Sequence, residues 1–205
     1  MKSEESIFAN DPGARNVLPW KEGVFDIAEY IARQANLITS IDVSLVENFS
    51  RIMDRASSAG GTIFFAGNGG SFAIAEHMVC DYTKGMQRLR RNGCRTVCLG
   101  SNGALASALV NDFGHDSALA AELELYGKKG DVLVAISSSG NSANILNLVE
   151  KAKAMAIPVL GLDGFSGGSL SSASDVSYTS EAQTYPEVEA CHQVFLDSVA
   201  FTLWR

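Results

Sequence analysis

The sequence predicts an α/β fold in which a five-stranded parallel sheet is covered by helices on both faces. Short apolar runs of strand length alternate with stretches whose apolar residues recur every three or four positions, a pattern typical of repeated strand and helix units. Two of the apolar runs end abruptly in turns of glycine, serine and asparagine, as strands do where they lead into a helix. A chain of 205 residues is long enough to bury a full core and fits one domain of ordinary size with appended elements.

The first sixty residues precede the predicted sheet. Residues 1–20 carry the turn signals Asn10-Asp11-Pro12-Gly13 and Leu18-Pro19, so we expect an irregular N-terminal arm. Helical periodicity follows over Glu22–Ile38 and again over Val43–Ala59, and Gly60-Gly61 ends the second helix. Residues 21–60 are therefore predicted to form a helical pair, and subunit association is a common way to bury the apolar stripe of such a pair.

The remaining residues, 61–205, are predicted to form the sheet and the helices that cover it. Strands are expected at 62–66, 95–99, 131–136, 158–162 and 175–179. Helices are expected at 72–82, 104–110, 117–126, 144–155 and 187–204. Residues 111–116 are expected to form a loop between two helices, and the glycine-rich segment 164–168 is expected to form another. In a parallel sheet the carboxyl ends of all strands lie at one edge, where ligands bind in such folds.

Two turns of small residues indicate a ligand at this edge. The glycine turn, Gly67-Asn68-Gly69-Gly70-Ser71, follows the first strand, and the serine turn, Ser137-Ser138-Ser139-Gly140-Asn141-Ser142, follows the third. A strand, a tight turn and a helix in this order direct backbone N–H groups and the positive end of the helix dipole at one point, which suits a phosphate. A third turn, Gly100-Ser101-Asn102-Gly103, follows the second strand. We expect the three turns to converge on one sugar-phosphate site.

Composition excludes several classes of function. The net charge is −7 and charged residues make up 19% of the chain, so no basic surface for nucleic acid is expected. No apolar run approaches the roughly 20 residues of a membrane span, and residues 1–5 lack the basic and then apolar pattern of a signal peptide. The four cysteines form no CxxC pair. We therefore expect a cytoplasmic protein with reduced thiols that binds neither nucleic acid nor membrane.

With these motifs the chain resembles the sugar isomerase (SIS) domain family, and within it the phosphoheptose isomerases of bacterial heptose biosynthesis. The matching segments are Gly67–Ser71 with His77 six residues on, Asn111–Gly114, Gly130–Leu133 and Ser137–Asn144. The resemblance implies a three-layer αβα sandwich of the flavodoxin-like SIS fold over residues 61–205, a homotetramer that uses the N-terminal helices, and a site shared between subunits. It also implies an aldose–ketose isomerisation through an enediol that interconverts sedoheptulose 7-phosphate and D-glycero-D-manno-heptose 7-phosphate.

The resemblance also assigns the substrate contacts. The serine turn matches the family's phosphate-binding loop, and the glycine turn matches a second set of contacts to the sugar. Asn102 stands where the family usually has an aspartate that touches substrate. The residues implied in substrate binding are Asn68, Gly69, Ser71, Asn102, Ser137, Ser138, Ser139 and Ser142. Taken singly, such glycines are also typical of tight turns and such serines of helix caps, but the combination favours a binding site.

The resemblance places catalysis and metal binding on the first and last helices of the domain. In the family, a glutamate four residues after a histidine and a histidine on the last helix act as base and acid, and both coordinate zinc together with that first histidine and a glutamine. The corresponding residues here are His77, Asp81, Glu189 and Asp197, with Asp81 and Asp197 in the catalytic positions. A divalent metal, zinc by resemblance, is therefore expected, and a set of one nitrogen and three oxygens suits manganese as well. Asp197 can donate a proton at neutral pH only where burial raises its pKa above the ordinary value near 4.

The same residues also fit other interpretations. The missing histidine at position 197 favours a non-catalytic protein that binds sugar phosphates or associates with a replication initiator, as some relatives do. The changes at positions 102 and 197 also fit an isomerase of another phosphorylated sugar. Alternatively, Glu189 and Asp197 could lie on a solvated helix face, and His192 could be a polar residue at a subunit contact. His115, in the predicted loop, is a weaker candidate that a neighbouring subunit could bring to the site.

Overall fold

The sheet has five parallel strands, as predicted. The computed structural model describes residues 26–89 and 94–203, so the predicted arm at 1–20 lies outside the described residues. The strands are β1 (Thr62–Ala66), β2 (Arg95–Cys98), β3 (Val132–Ile136), β4 (Val159–Gly164) and β5 (Val176–Ser180). They pair in the order β2-β1-β3-β4-β5, and every pair is parallel. This order reverses between β1 and β3, so a ligand crevice is expected outside the carboxyl ends of these two strands.

Helices cover both faces of the sheet. The described helices are α1 (Ile27–Thr39), α2 (Val43–Ser58), α3 (Gly70–Leu89), α4 (Gly103–Phe113), α5 (His115–Tyr126), α6 (Ala143–Ala154), α7 (Ser169–Ala173) and α8 (Tyr185–Leu203). Side chains alternate along β1, so that Ile63 and Phe65 pack with α2, α3 and α8, whereas Phe64 and Ala66 pack with α5, α6 and α7. The three-layer αβα arrangement is thereby confirmed. Within the described part of the chain, no helix combines the length and the apolar character that a membrane span requires.

Aromatic side chains fix α8 between α2 and α3. The ring of Phe195 in α8 meets Phe49 of α2 edge to face, with ring centroids 4.9 Å apart. On its other side Phe195 stacks on Tyr178 of β5, with centroids 4.3 Å apart. The buried Tyr82 hydroxyl of α3 donates a hydrogen bond to the Leu196 carbonyl at 3.1 Å. These contacts hold α3 beside α8, which determines where the acidic residues of the two helices meet.

The predicted loop at 111–116 was wrong. Helix α4 continues to Phe113 and α5 begins at His115, so that only Gly114 separates them. Gly114 has φ +79°, a conformation that glycine adopts without a Cβ clash, and one residue therefore suffices to redirect the chain. The short helix α7 has no counterpart among the predicted elements, and it is anchored by the buried side chain of Leu170.

Between residues 26 and 61 two helices precede the sheet, as predicted, and polar contacts hold the first of them. No residue of α1 is buried. Arg33 of α1 donates from Nε to Oε1 of the fully buried Glu187 at 2.5 Å. Glu187 also accepts from the N–H and the hydroxyl of Thr184, so its carboxylate caps the start of α8. Helix α1 is therefore tied to α8 by an ion pair, while its apolar side chains Ile27 and Ile31 stay exposed.

Candidate functional site

The glycine turn connects β1 to α3 at the carboxyl edge of the sheet. Gly69 has φ +54°, and a Cβ on Gly67 would lie 2.6 Å from the Ser71 backbone, so both positions require glycine. Helix α3 starts at Gly70, directly after Gly69. The first N–H groups of a helix have no intrahelical partner, and here they lie within the turn that is predicted to contact the sugar.

The serine turn leaves hydrogen-bond donors free at the start of α6. Ser142 is the N-cap residue of this helix, but its side chain makes no capping hydrogen bond. Its hydroxyl lies 3.1 Å from the Ser137 hydroxyl instead. The Ser138 hydroxyl is buried without a hydrogen-bond partner among the described residues, which costs free energy until a ligand or water supplies one. The Ser139 hydroxyl accepts from the Asn141 N–H at 3.2 Å. The free donors at the start of α6 and the unpartnered Ser138 hydroxyl suit the binding of an anion.

A neighbouring loop supports the serine turn from behind. Gly140 has φ +65° and lies so close to Gly168 that a Cβ on Gly140 would be 2.7 Å from the Gly168 backbone. Asn141 Oδ1 accepts from the N–H and the hydroxyl of Ser169, both at 3.0 Å. The Leu170 N–H donates to the Gly140 carbonyl at 2.9 Å. The shape of the turn is therefore set before a ligand binds, which reduces the ordering cost of binding.

A pair of asparagines joins the glycine turn to the serine turn. Asn68 Nδ2 donates to Asn144 Oδ1 at 2.8 Å, and Asn144 Nδ2 donates back to Asn68 Oδ1 at 2.9 Å. Asn144 lies two residues after the serine turn, in the first turn of α6, so the two turns are brought together. In the third turn, Asn102 accepts from the Leu105 N–H at 3.2 Å and caps α4. A contact between Asn102 and substrate stays a prediction.

His77, Asp81 and Asp197 meet between α3 and α8, and we refer to these three residues as the acidic cluster. One ligand atom from each lies within 4.8 Å of the other two. His77 Nε2 is 3.1 Å from Asp81 Oδ2, one helical turn along α3. Asp197 Oδ1 accepts from the Gln193 amide at 2.8 Å. The cluster lines a cleft of about 820 Å³ to which residues of α1 and α2 also contribute. The structure therefore brings together three of the four predicted metal ligands.

The acidic cluster has the donor atoms and the spacing of a divalent-metal site. One imidazole nitrogen and two carboxylate oxygens within 4.8 Å can converge on one ion. Three protein ligands leave coordination positions open, as catalytic metal sites do. Partial burial raises the pKa of Asp197 and the charge of Asp81 adds to the rise, whereas the Gln193 hydrogen bond and the charge of His77 lower it. A cation here would relieve the repulsion between the two carboxylates, so the residues present fit a metal.

Glu189, the fourth predicted ligand, lies apart from the acidic cluster. It precedes Asp197 by two turns of α8, which is about 12 Å along the helix axis. Its carboxylate lies against Gly70, where a Cβ would collide with both carboxylate oxygens. Burial raises the pKa of Glu189, while the dipole of α3 favours a negative charge at this end of the helix. Glu189 therefore belongs to the surroundings of the glycine turn, and the structure does not bring it to the other three ligands.

His192 is buried in the core and does not lie at a subunit contact. Its Nε2 is 2.8 Å from the Asp163 carbonyl. Because a carbonyl only accepts hydrogen bonds, Nε2 carries the proton, and Nδ1 has no partner among the described residues. Burial lowers the pKa of His192 to about 4. The hydrogen bond ties α8 to the carboxyl end of β4. Because His192 is fully buried within one chain, the interpretation of this residue as a subunit contact was wrong.

We expect His192 to make the protein less stable as the pH falls from about 6.5 to about 4. In this window the unfolded chain binds a proton at His192 and the folded chain does not, so the free energy of unfolding decreases by roughly 3 kcal/mol. The variant His192→Gln keeps an N–H donor for Asp163 but does not titrate, and its stability should depend less on pH. Urea unfolding of both proteins across this window measures the difference, and equal pH dependence would contradict the expectation.

Glu122 is a polar residue near the site that the sequence analysis did not identify. Its side chain, on α5, is 3% exposed, and Oε2 accepts from the Gly100 N–H at 2.7 Å. Burial raises the pKa of Glu122, and the Gly100 hydrogen bond opposes the rise. It lines a second cavity, of about 190 Å³, together with residues of the glycine turn and His115. The sequence could have indicated the burial of Glu122, because this residue follows Ala118 by four positions and so lies on the same, buried face of α5.

The chain is similar in sequence to a known domain family and to known enzymes, and similar in fold to a solved structure. Residues 29–164 match the SIS domain family. A phosphoheptose isomerase from Aliarcobacter butzleri is 30% identical over 171 residues, which cover 82% of this chain and 90% of that protein. A phosphoheptose isomerase from Helicobacter pylori (strain Shi470) is 36% identical over 132 residues, which cover 64% of this chain and 68% of that protein. The solved structure of phosphoheptose isomerase from Neisseria gonorrhoeae superposes with a TM-score of 0.79 at 26% identity, over 86% of this chain and 96% of that one.

Proposed function

The chain belongs to the SIS domain family, and on that basis we propose that it is an aldose–ketose isomerase of the phosphoheptose isomerase type. The proposed reaction interconverts sedoheptulose 7-phosphate and D-glycero-D-manno-heptose 7-phosphate. The observation that carries the proposal is the acidic cluster, in which His77 and Asp81 of α3 lie beside Asp197 of α8. The two aspartates are far apart in the sequence, and the packing of the two helices brings them together.

The proposed reaction moves a proton between two adjacent carbon atoms of the sugar. A base removes the proton from one carbon to form an enediol and returns a proton to the other carbon, while a second group moves a proton between the two oxygens. We assign the first role to Asp81 and the second to Asp197. The position of Asp197 beside Asp81 and His77 supports this assignment, because it places a second carboxyl group next to the proposed base.

His77, Asp81 and Asp197 would hold the proposed divalent metal, with zinc as the expected ion. When bound, such an ion would polarise the carbonyl oxygen of the substrate. The role of Glu189 as a fourth ligand stays a prediction, since its carboxylate lies beside Gly70. His77 contributes the only nitrogen of the predicted set and lies one turn from Asp81, so its ring also orients that carboxylate.

The phosphate is proposed to bind at the serine turn. The uncapped N–H groups at the start of α6 and the unpartnered Ser138 hydroxyl support this placement. They provide neutral donors and a helix dipole, which together stabilise a dianion. The proposed phosphate contacts are Ser137, Ser138, Ser139 and Ser142, and the proposed sugar contacts are Asn68, Gly69, Ser71 and Asn102.

We propose further that a homotetramer completes the site. The acidic cluster and the glycine turn open into different cavities of one chain, and the described linings of these cavities have no residue in common. Val43 and Phe201, which line the cleft of the acidic cluster, are exposed, as are Ile27 and Ile31 of α1. Burial of these side chains against another subunit would stabilise an assembly. Sedimentation analysis tests this, and a monomer at the concentrations used for assay would contradict it.

We expect the purified protein to convert sedoheptulose 7-phosphate to the aldose and to introduce deuterium at the reacting carbons in D₂O. The physical reason is that an enediol takes its proton from a base that exchanges with solvent. Proton NMR follows both the conversion and the loss of the carbon-bound hydrogen. A shorter ketose phosphate, ribulose 5-phosphate, assayed in parallel, tests whether the enzyme prefers another sugar.

A second function, binding without turnover, is favoured by Asp197, which replaces the histidine of the family pattern. A protein of this kind would bind sedoheptulose 7-phosphate and leave its hydrogen atoms unexchanged. Binding without conversion and without deuterium incorporation, for a preparation with its metal restored, would therefore select this function over the isomerase.

A further inference from the structure

A small cavity beside the glycine turn contains a carboxylate to which the proposed reaction gives no role. The cavity, of about 190 Å³, lies where β1 and β2 end and is closed on its other side by α4 and α5. Phe72, Leu99 and Leu119 form an apolar wall. Glu122 contributes the carboxylate, although its side chain is only 3% exposed. The volume is below that of a complete ligand pocket, so this cavity suits one part of a larger ligand.

One oxygen of the Glu122 carboxylate has a protein partner and the other does not. Oε2 accepts from the Gly100 N–H at 2.7 Å. Oε1 makes no hydrogen bond within the described part of the chain, and Glu122 is one of the residues that line the cavity. A carboxylate this deeply buried costs free energy until a donor reaches the unused oxygen. Water or a ligand hydroxyl in the cavity would supply such a donor.

The other groups around the cavity define that donor. The amides of Asn68 and Asn144 are occupied by each other. None of the described lining residues is a lysine or an arginine, and the histidine of the lining, His115, lies with its Nδ1 3.4 Å from Asp116 Oδ1. The carboxylate repels an anion, whereas a hydroxyl group can donate to it while the attached carbon atoms contact the apolar wall. A chain of hydroxyl-bearing carbons, the body of a sugar, has both features.

We propose that Glu122 is a specificity-determining residue whose Oε1 accepts a hydrogen bond from a hydroxyl of the sugar chain. Asn68 lines the cavity and bonds to Asn144, which lies two residues after the serine turn. One ligand can therefore reach the cavity with its hydroxyls and the serine turn with its phosphate. The inference rests on the proposed function only in requiring a phosphorylated sugar, and it does not require turnover.

We expect Glu122→Gln to weaken binding of sedoheptulose 7-phosphate roughly ten- to a hundred-fold, since a hydrogen bond to a charged acceptor is lost. Glutamine has the same shape, and its carbonyl oxygen can still accept from Gly100, but an amide NH₂ then occupies the free position and cannot accept. Binding of inorganic phosphate, which reaches only the serine turn, should change by less than about twofold. Calorimetric titration of the full chain with each ligand measures both affinities.

Glu124→Gln is the matched control, because Glu124 lies on the same helix with its side chain exposed and paired to Lys151 at 2.7 Å. It should bind both ligands like the wild type. Equal loss of both ligands in Glu122→Gln would show that Glu122 only supports the backbone at Gly100, and unchanged binding of the sugar phosphate would also overturn the proposal. If Glu122→Gln does not fold, Glu122→Asp, which withdraws the carboxylate by one methylene, should show the same selective loss.

Hydrogen exchange by the wild-type protein tests the proposed isomerase activity independently of these binding affinities. Selective loss of the sugar phosphate in Glu122→Gln, combined with a wild-type protein that exchanges no hydrogen, supports the role of Glu122 and contradicts the isomerase. A wild-type protein that binds sedoheptulose 7-phosphate no more tightly than inorganic phosphate contradicts both.

Discussion

Asp81→Asn should lower the rate of sedoheptulose 7-phosphate isomerisation by about 10²- to 10⁴-fold, the range that a positioned general base contributes. Asparagine has nearly the same volume and remains partly exposed, so the fold should be unaffected. It has no basic oxygen at neutral pH, so conversion of the sugar and incorporation of deuterium should decrease together by this factor. Initial rates and NMR spectra in D₂O measure the two effects.

Glu76→Gln is the matched control for this experiment. Glu76 is exposed on the same helix and is not a member of the acidic cluster, so its substitution removes one negative charge from α3 without touching the site. Elemental analysis of each variant separates loss of the base from loss of the metal. If Asp81→Asn retains the activity of Glu76→Gln, Asp81 is not the base. If Asp81→Asn has lost its metal and Asp197→Asn has kept it, loss of a metal ligand accounts for part of the decrease in activity of Asp81→Asn.

Most of the fold could be predicted from the sequence because its evidence is local. β1 is predicted and observed at Thr62–Ala66, since a strand buried on both faces of a parallel sheet is a continuous apolar run with a clear end. The α4–α5 junction could not be predicted in the same way. The polar sequence Asn111-Asp112 before Gly114 is typical of a loop, yet the exposed last turn of a helix tolerates the same residues.

The site was predictable only in part, for a related reason. The pairing of His77 with Asp81 follows from spacing within one helix, whereas Asp197 joins them through helix packing that no local pattern expresses. Glu189 shows the limit of a resemblance, because alignment assigns a position and leaves the direction of the side chain open. In this chain the missing Cβ of Gly70 provides space, and the Glu189 carboxylate occupies it. The burial of Glu122 has a signal in the sequence, but its bond to Gly100 could not be predicted, since that bond depends on where α5 lies relative to the end of β2.

Gly140→Ala should destabilise the protein by about 2–5 kcal/mol and weaken phosphate binding more than about tenfold. Two costs add at this position. An alanine at φ +65° incurs about 1–2 kcal/mol of backbone strain. Its Cβ would also lie 2.7 Å from the Gly168 backbone and 3.2 Å from Asp163 Cβ, and such overpacking costs about 1–3 kcal/mol where backbone must move. Urea unfolding measures the first effect, and calorimetric titration with inorganic phosphate measures the second.

Alanine substitutions at two other glycines distinguish the cost of backbone strain from the cost of overpacking. Gly130 has φ +99° but no atom within 4 Å of its Cβ position, so Gly130→Ala should show the backbone strain alone and bind phosphate normally. Gly103 has neither a positive φ nor a close neighbour, so Gly103→Ala should be neutral or slightly stabilising at the start of α4. The order of destabilisation should therefore be Gly140, then Gly130, then Gly103. Equal destabilisation by Gly140→Ala and Gly130→Ala, with phosphate binding unchanged in both, would mean that the contact between Gly140 and Gly168 does not shape the serine turn.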